Sequence, residues 1–247
     1  MKRHYRFTKI LLKFSRKDRN FIYLKLITFK KLLNQIKNNL LNNLISNPLA
    51  KDFYLRNSIE VARDLIGKYF IKKYKLKFLL GKIVETEAYS GENDQASHSF
   101  IGKTNRNKSM FEEGGVLYVY FTYGVHYCAN VVTGVKNSGE AVLIRAVEPI
   151  AGVDFISMNR YNKINLNKKE FANLSNGPAK FCQGFRIDKK DDGTSLLGER
   201  IYISSAELSE KPEILSSKRI GISKSKDLLW RFFIKDNKFV SHTKNQK

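Results

Sequence analysis

The chain of 247 residues is poor in cysteine, in acidic residues and in long apolar runs. Cys128 and Cys182 are its only cysteines. Two thiols cannot build a disulfide scaffold, so a reducing, cytoplasmic setting is expected. No apolar run reaches the ~18–20 residues of a membrane-spanning helix, so no membrane is expected as a partner. Acids are few: 23 Asp and Glu stand against 45 Lys and Arg, a net charge of +22. That excess points to a polyanionic partner, nucleic acid first. Hydrophobic residues make up 42% and aromatics 12%. This is enough to bury a core, and it excludes wholesale disorder. The length suits one sizeable domain with an appendage.

The charge is uneven. The first 50 residues hold 12 of the cations and one acid, Asp18. They are rich in Lys, Asn, Leu and Ile, a low-complexity composition that says little about function. Leu26, Leu33, Leu40, Leu41 and Leu44 make a weak helical stripe. The apolar stretch FIYLKLITF is interrupted by Lys25, with no small-residue cleavage site after it, so no secretory signal is read there. Residues 1–47 are expected to be a disordered or weakly helical basic extension. Asn47-Pro48 marks the boundary of a domain over 48–242, and 243–247 should fray. Beyond the boundary, Ile59, Ala62, Leu65 and Ile66 follow a helical rhythm. Asn57 or Ser58 suits the N-cap, and Gly67 the end. Residues 159–176 read as a polar helix-loop stretch.

Four segments between Lys82 and Pro149 carry the chemistry. Ile83–Tyr89 reads as a strand. Its period of two puts Glu85, Glu87 and Tyr89 on one face, which is not a core pattern. Glu85 reads as a ladder or surface residue. A turn near Gly91–Asp94 leads to His98. GKTNRNKSMFEEGG is a glycine-bounded loop whose Lys103, Arg106, Asn107 and Lys108 suit phosphate contact. VLYVYFTYGVHYCANVV reads as two strands with a turn near Thr122–Gly124. Tyr118 and Tyr120 share a face there, and Tyr123 sits at the hairpin tip. EAVLIRAVEP is a strand in which Arg145 faces the same way as Leu143 and Ala141. A charge there needs a partner, and Glu87 is the natural one. Together these place a carboxylate, an arginine, tyrosines and a histidine around a cavity, on a basic protein. Purines stack on such rings, and a base inside a duplex must be flipped out to be reached. His98, His126 and Cys128 lack the tight spacing of metal ligands, so no metal is expected. Cys128 and Cys182 read as small buried residues.

VARDLIGK, IVETEAYSGENDQASHS, RNKSMF, LYVYFTYGVHYCANVV, AVLIRAVEP, NGPAKFCQ, RIGI and WRFF occur in this order. They resemble the alkyladenine, or 3-methyladenine-type, purine DNA glycosylase family from about Leu55 to Val240. The resemblance implies an α+β fold: a single mixed domain around a curved antiparallel sheet with flanking helices and a basic DNA-binding face. It implies a monofunctional glycosylase that flips damaged purines out of double-stranded DNA and leaves an abasic site for base excision repair. Alkylated purines are the implied substrates, with deaminated ones left open, and no cofactor or metal is used. Glu87 would be the base that deprotonates the attacking water, and Arg145 would help hold that water. Arg145 should also favour the charged form of Glu87. Tyr89, His98 and Tyr120 would sandwich the flipped base, and Asn130 would disfavour the 2-amino group of guanine. Tyr123 would intercalate into the vacated gap. A cytoplasmic monomer is the default, nucleoid-associated if the source is bacterial. Asn105 stands where the family commonly has proline, and Ala179 where glycine is usual. A catalytically idle nucleic-acid-binding module of the same fold is the alternative.

Overall fold

The computed structural model describes residues 31, 32, 35, 38–75, 77–91, 93–205 and 211–241. The expected tail 243–247, and residues 1–30 of the extension with Leu26 and Leu33 of its stripe, lie outside them. The chain divides into two compact units, 1–44 and 45–247. Within the first, residues 38–44 are helical.

In the second unit, Asn57 caps a helix, α2 (Ser58–Asp64), by accepting from the Glu60 N–H at 3.0 Å. A single turn, α1 (Lys51–Tyr54), precedes it. Gly67 follows at φ +86°, where a Cβ would be strained. The chain then enters β1 (Tyr69–Tyr74) and the 13-residue β2 (Lys77–Tyr89), longer than the Ile83–Tyr89 expectation. A hairpin joins β3 (Val116–Thr122) to β4 (His126–Thr133), and β5 (Glu140–Ala151) runs back beside β2. Helices α3 (Val153–Tyr161) and α4 (Lys168–Ala172) fall in and around the polar stretch, and α5 (Pro178–Gly184) follows. Short strands β6 (Thr194–Ser195), β7 (Ile201–Ser204), β8 (Ile214–Ser217) and β9 (Arg231–Ile234) complete the sheet.

The strand order is β6-β3-β4-β5-β2-β1-β7, curled and antiparallel, with β9 bridging β2 and β8. Strand β2 is the hub. One edge pairs β5, while the other pairs β1 at its start and β9 over Glu85–Glu87. The sheet is two-faced. Val84, Ala88, Val131, Ile144 and Val147 join α2 and the Phe181 and Phe185 rings of α5 in the main core. Thr86 belongs to this side, donating to the Ala62 carbonyl at 2.7 Å. The opposite face carries a smaller cluster of Met110, Tyr118, Val132 and Ala141, against which Tyr89 and Tyr120 pack. The expected fold class, a mixed α+β domain around a curved antiparallel sheet, is therefore the observed one. No helix among the described residues is long and apolar enough to cross a membrane.

Candidate active site

The smaller cluster floors a cavity of about 450 Å³. Tyr89, His98, Tyr118, Tyr120, Tyr123, Asn130, Leu143 and Arg145 all line it. So six of the seven expected site residues meet at one place. Glu87 does not line it. Its side chain is fully buried directly behind, joined to the cavity through Tyr89 and Arg145.

The strand register explains how Arg145 comes to face Glu87. Glu85 pairs with Ala146 and Thr86 with Ile144, which leaves Arg145 as an extra residue on β5. One step earlier, Val84 is extra on β2 between Ile83 and Glu85. Two adjacent bulges twist the ladder and re-aim the side chains, as bulges beside active sites do. Arg145 Nε donates to Glu85 Oε1 at 2.9 Å, and Nη1 lies 3.2 Å from Glu87 Oε2. The guanidinium thus has two carboxylates rather than the one expected.

Three donors hold Glu87. Tyr89 Oη donates to Oε2 at 2.9 Å, and the Ile220 N–H donates to Oε1 at 2.7 Å. Arg145 is the third. A carboxylate accepts at about four positions. Among the described residues, one acceptor position therefore remains, on Oε1. Burial pushes the Glu87 carboxyl above its ordinary 4.5, outweighing the pull of Arg145, Ile220 and Tyr89. This corrects the expectation that Arg145 would dominate: desolvating a charge costs more than half a shared guanidinium returns.

Glu85 is a second correction. It is no surface residue but fully buried. Burial pushes its carboxyl up, yet Arg145, Arg231 and Ser241 together draw it below the ordinary value. Arg231 Nε donates to Oε1 at 2.7 Å. Ser241 donates twice, from its backbone N–H to Oε2 and from Oγ to Oε1, both at 2.7 Å.

The rings are fixed by their own partners. Arg219 lies over the Tyr89 ring at 4.6 Å and over Trp230 at 5.2 Å. It is anchored in turn by a bidentate pair with the buried Asp94, where Nη2 reaches Oδ1 at 2.7 Å. The His98 and Tyr120 rings meet edge to face at 4.4 Å. His98 Nδ1 lies 3.0 Å from Tyr118 Oη. Burial, then Arg106, lowers the His98 pKa, so its ring is neutral at pH 7. Asn130 Nδ2 donates to the Tyr118 carbonyl at 3.1 Å, which fixes the amide. Tyr123 stands at the tip of the β3–β4 hairpin, 87% exposed. Tyr123 and Gly124 both have positive φ, +50° and +66°, and the Val125 N–H closes the turn on the Thr122 carbonyl. That is the tight turn a two-strand hairpin favours.

Asn107, expected at phosphates, is buried and holds its own loop together. It accepts from the Thr104 N–H and donates to the carbonyls of His98 and Gly102. Lys103, Arg106 and Lys108 remain exposed. Ala179 lies in the first turn of α5 and Asn105 in an exposed turn, neither with positive φ. Cys128 and Cys182 are buried, as expected. Among the described residues no group of three His, Cys, Asp or Glu could hold a metal. Sequence reasoning gave Tyr118 a face beside Tyr120 but no role, and it assigned no role to Arg219, Asp94, Arg231 or Ser241. RIGI and WRFF lay in the matched text, but the pairing of β9 with β2 brings WRFF here, and the Arg219–Asp94 and Ile220–Glu87 contacts bring RIGI.

A family model described as Methylpurine-DNA glycosylase (MPG) matches residues 52–238. A relative from Clostridium novyi (strain NT), named "Putative 3-methyladenine DNA glycosylase", is 50% identical over 199 residues, 78% of this chain and 98% of its own length. A relative of the same name from Carboxydothermus hydrogenoformans is 48% identical over 78% of this chain and 98% of its own length. Another from Francisella tularensis is 47% identical over 74% and 93%.

Proposed function

The chain belongs to the methylpurine-DNA glycosylase family and is a DNA glycosylase, and from that premise we propose that it releases 3-methyladenine and related alkylated purines from double-stranded DNA by water attack, with Glu87 as the base. The observation that carries this reading is the single open acceptor position on Glu87 Oε1, directly behind an aromatic cavity.

An alkylated purine is cationic, so its N-glycosidic bond is already weak. Glu87 takes a proton from water, and the water oxygen forms the new bond at C1′. The glycosidic pair leaves with the base and neutralises its charge. The transition state is oxocarbenium-like, as in other glycosidic cleavages. Arg145, which lines the cavity, orients the water and balances the charge of Glu87 until the proton is taken. Tyr89, His98 and Tyr120 stack on the flipped base, each stacked ring adding roughly 1–3 kcal/mol. The fixed amide of Asn130 opposes a 2-amino group. Tyr123 fills the gap in the duplex and offsets unstacking, which costs a few kcal/mol. One monomer suffices for this chemistry. A neutral base such as hypoxanthine would need a proton on its leaving group. His98, neutral at pH 7, is a poor donor for that step.

The test is base release from two duplexes, one with a single 3-methyladenine and one with a single hypoxanthine. Wild type should release the alkylated base faster, and Glu87→Gln should release neither while still binding DNA. Undiminished release by Glu87→Gln would sink the assignment of the base.

A further inference from the structure

The buried groups around Glu87 form one continuous charge chain, Arg231–Glu85–Arg145–Glu87, in which cations and carboxylates alternate. Each end is tethered. Arg231 Nη1 donates to Ser217 Oγ at 2.9 Å, and Nη2 to the Ser241 carbonyl at 3.3 Å. Glu87 is held by Tyr89 and Ile220. Arg145 is the only member of the chain that lines the cavity.

From this geometry we infer that Glu85 is a positioning residue for base release: it holds Arg145 away from full pairing with Glu87, so that the guanidinium serves the cavity and Glu87 keeps its basicity. The inference rests on the reading of Glu87 as the general base. Arg145 gives Glu85 its Nε–H, the closer contact, and gives Glu87 the longer one. A guanidinium has five N–H donors in a rigid fork, so the Nε anchor fixes the plane of the whole group. The Ser241 N–H and Oγ fix Glu85 from the other side. Without the anion at position 85, Arg145 would swing onto Glu87 and pair with it fully. A carboxylate fully paired with arginine is a weaker base.

Titratable and charged groups lie on each strand around Glu87. Strand β2 supplies Glu85 and Tyr89, β5 Arg145, β9 Arg231 and β4 Cys128. The Ile220 segment supplies a backbone N–H, with Arg219 behind Tyr89. Of these only Glu85 is a second anion at pH 7, so its removal has a defined sign.

The test is single-turnover release of 3-methyladenine from a methylated duplex, followed from acid to neutral pH, for wild type, Glu87→Gln, Glu85→Gln and Glu85→Asp. Glu85→Gln removes the anion and keeps the size. Its acid limb should move down by roughly one pH unit. Its plateau rate should fall on the order of tenfold, inside the ~10²-fold that a 1 Å misplacement costs. DNA affinity should not change. Glu85→Asp keeps the anion, so its acid limb should stay in place while its plateau falls. A Glu85→Gln limb that stays put, with release lowered equally at every pH, would mean that Glu85 only braces the fold, and the inference would be overturned. An active Glu87→Gln would overturn the underlying reading instead, so the two failures are distinct. If Glu85→Gln does not fold, Ser241→Ala takes its place, since it removes one donor to Glu85 and the hydroxyl that Arg145 Nη2 meets at 3.4 Å, and leaves all four charges. It should lower the plateau several-fold at unchanged DNA affinity. An unchanged plateau there would count against the inference.

Discussion

A carboxylate taken out of water and given part of one guanidinium is harder to ionise than one in solvent, and Glu87 is in that position. Glu85, two residues earlier, has two guanidinium groups and two serine donors and is easier to ionise. Environments that push neighbouring carboxylates apart are how one site assigns them different tasks. The signs differ in consequence. Glu87 must be ionised to accept a proton, so base release should fall as pH drops through a value above 4.5. Glu85 contributes stability above its unfolded value, and that contribution is lost only as pH falls through its lower folded value. Acid should therefore stop base release before it unfolds the chain. Base release and near-UV circular dichroism over one titration would check this, and coincident midpoints would refute it. Truncating Glu87 to Gln should cost about 10²–10⁴-fold in rate. Tyr123→Ala acts at a different step. It should slow release from duplex DNA but leave single-stranded substrate nearly unaffected, since only the duplex has a gap to fill. An equal loss on both substrates would place Tyr123 in the chemistry rather than in the gap.

Among the elements, the local ones were legible in the sequence. Asn57 and Glu60 signal the α2 start three residues apart, and Tyr123-Gly124 signals a hairpin. Period two in β2 put Glu85 and Glu87 on one face, and both do meet Arg145 there. The burial of Glu85 was not legible. It depends on β9 and Ser241, which are 146 and 156 residues away in the chain. Periodicity gives a face but not which distant strand covers it. The paired bulges at Val84 and Arg145 were hidden for the same reason, because a bulge exists only relative to a partner strand. Arg219 reaches Tyr89 only because Asp94, from the loop after β2, anchors it. The cap offers an element-scale check away from the site. Asn57→Ala should cost about 1 kcal/mol. It should lower Tm by roughly 2–4 °C in a chain of this size. Base release at 25 °C should stay unchanged. A change in rate without a change in Tm would tie α2 to the site through Ala62 and Thr86.

For the molecule as a whole, the net charge of +22 sets how it meets DNA, while the site sets what it does there. The two are separable because the charge is divided. Half of the excess lies in the first 50 residues, whereas the family match begins at residue 52. Each cation on a phosphate releases counterions, so the logarithm of affinity falls with the logarithm of salt at a slope of about −0.9 per contact. A chain lacking residues 1–44 should therefore bind duplex DNA more weakly at low salt and with a shallower slope. At high salt its affinity should approach that of the full chain, because the lost contacts are the screened ones. Its release rate at saturating DNA should stay within about twofold, since no group in the Arg231–Glu85–Arg145–Glu87 chain comes from that segment. Binding isotherms at several salt concentrations, with single-turnover release beside them, separate the two effects. An unchanged slope would show that the extension's cations do not reach the phosphates, and the basic residues beyond it, Lys103, Arg106 and Lys108 among them, would then account for the whole of the salt dependence.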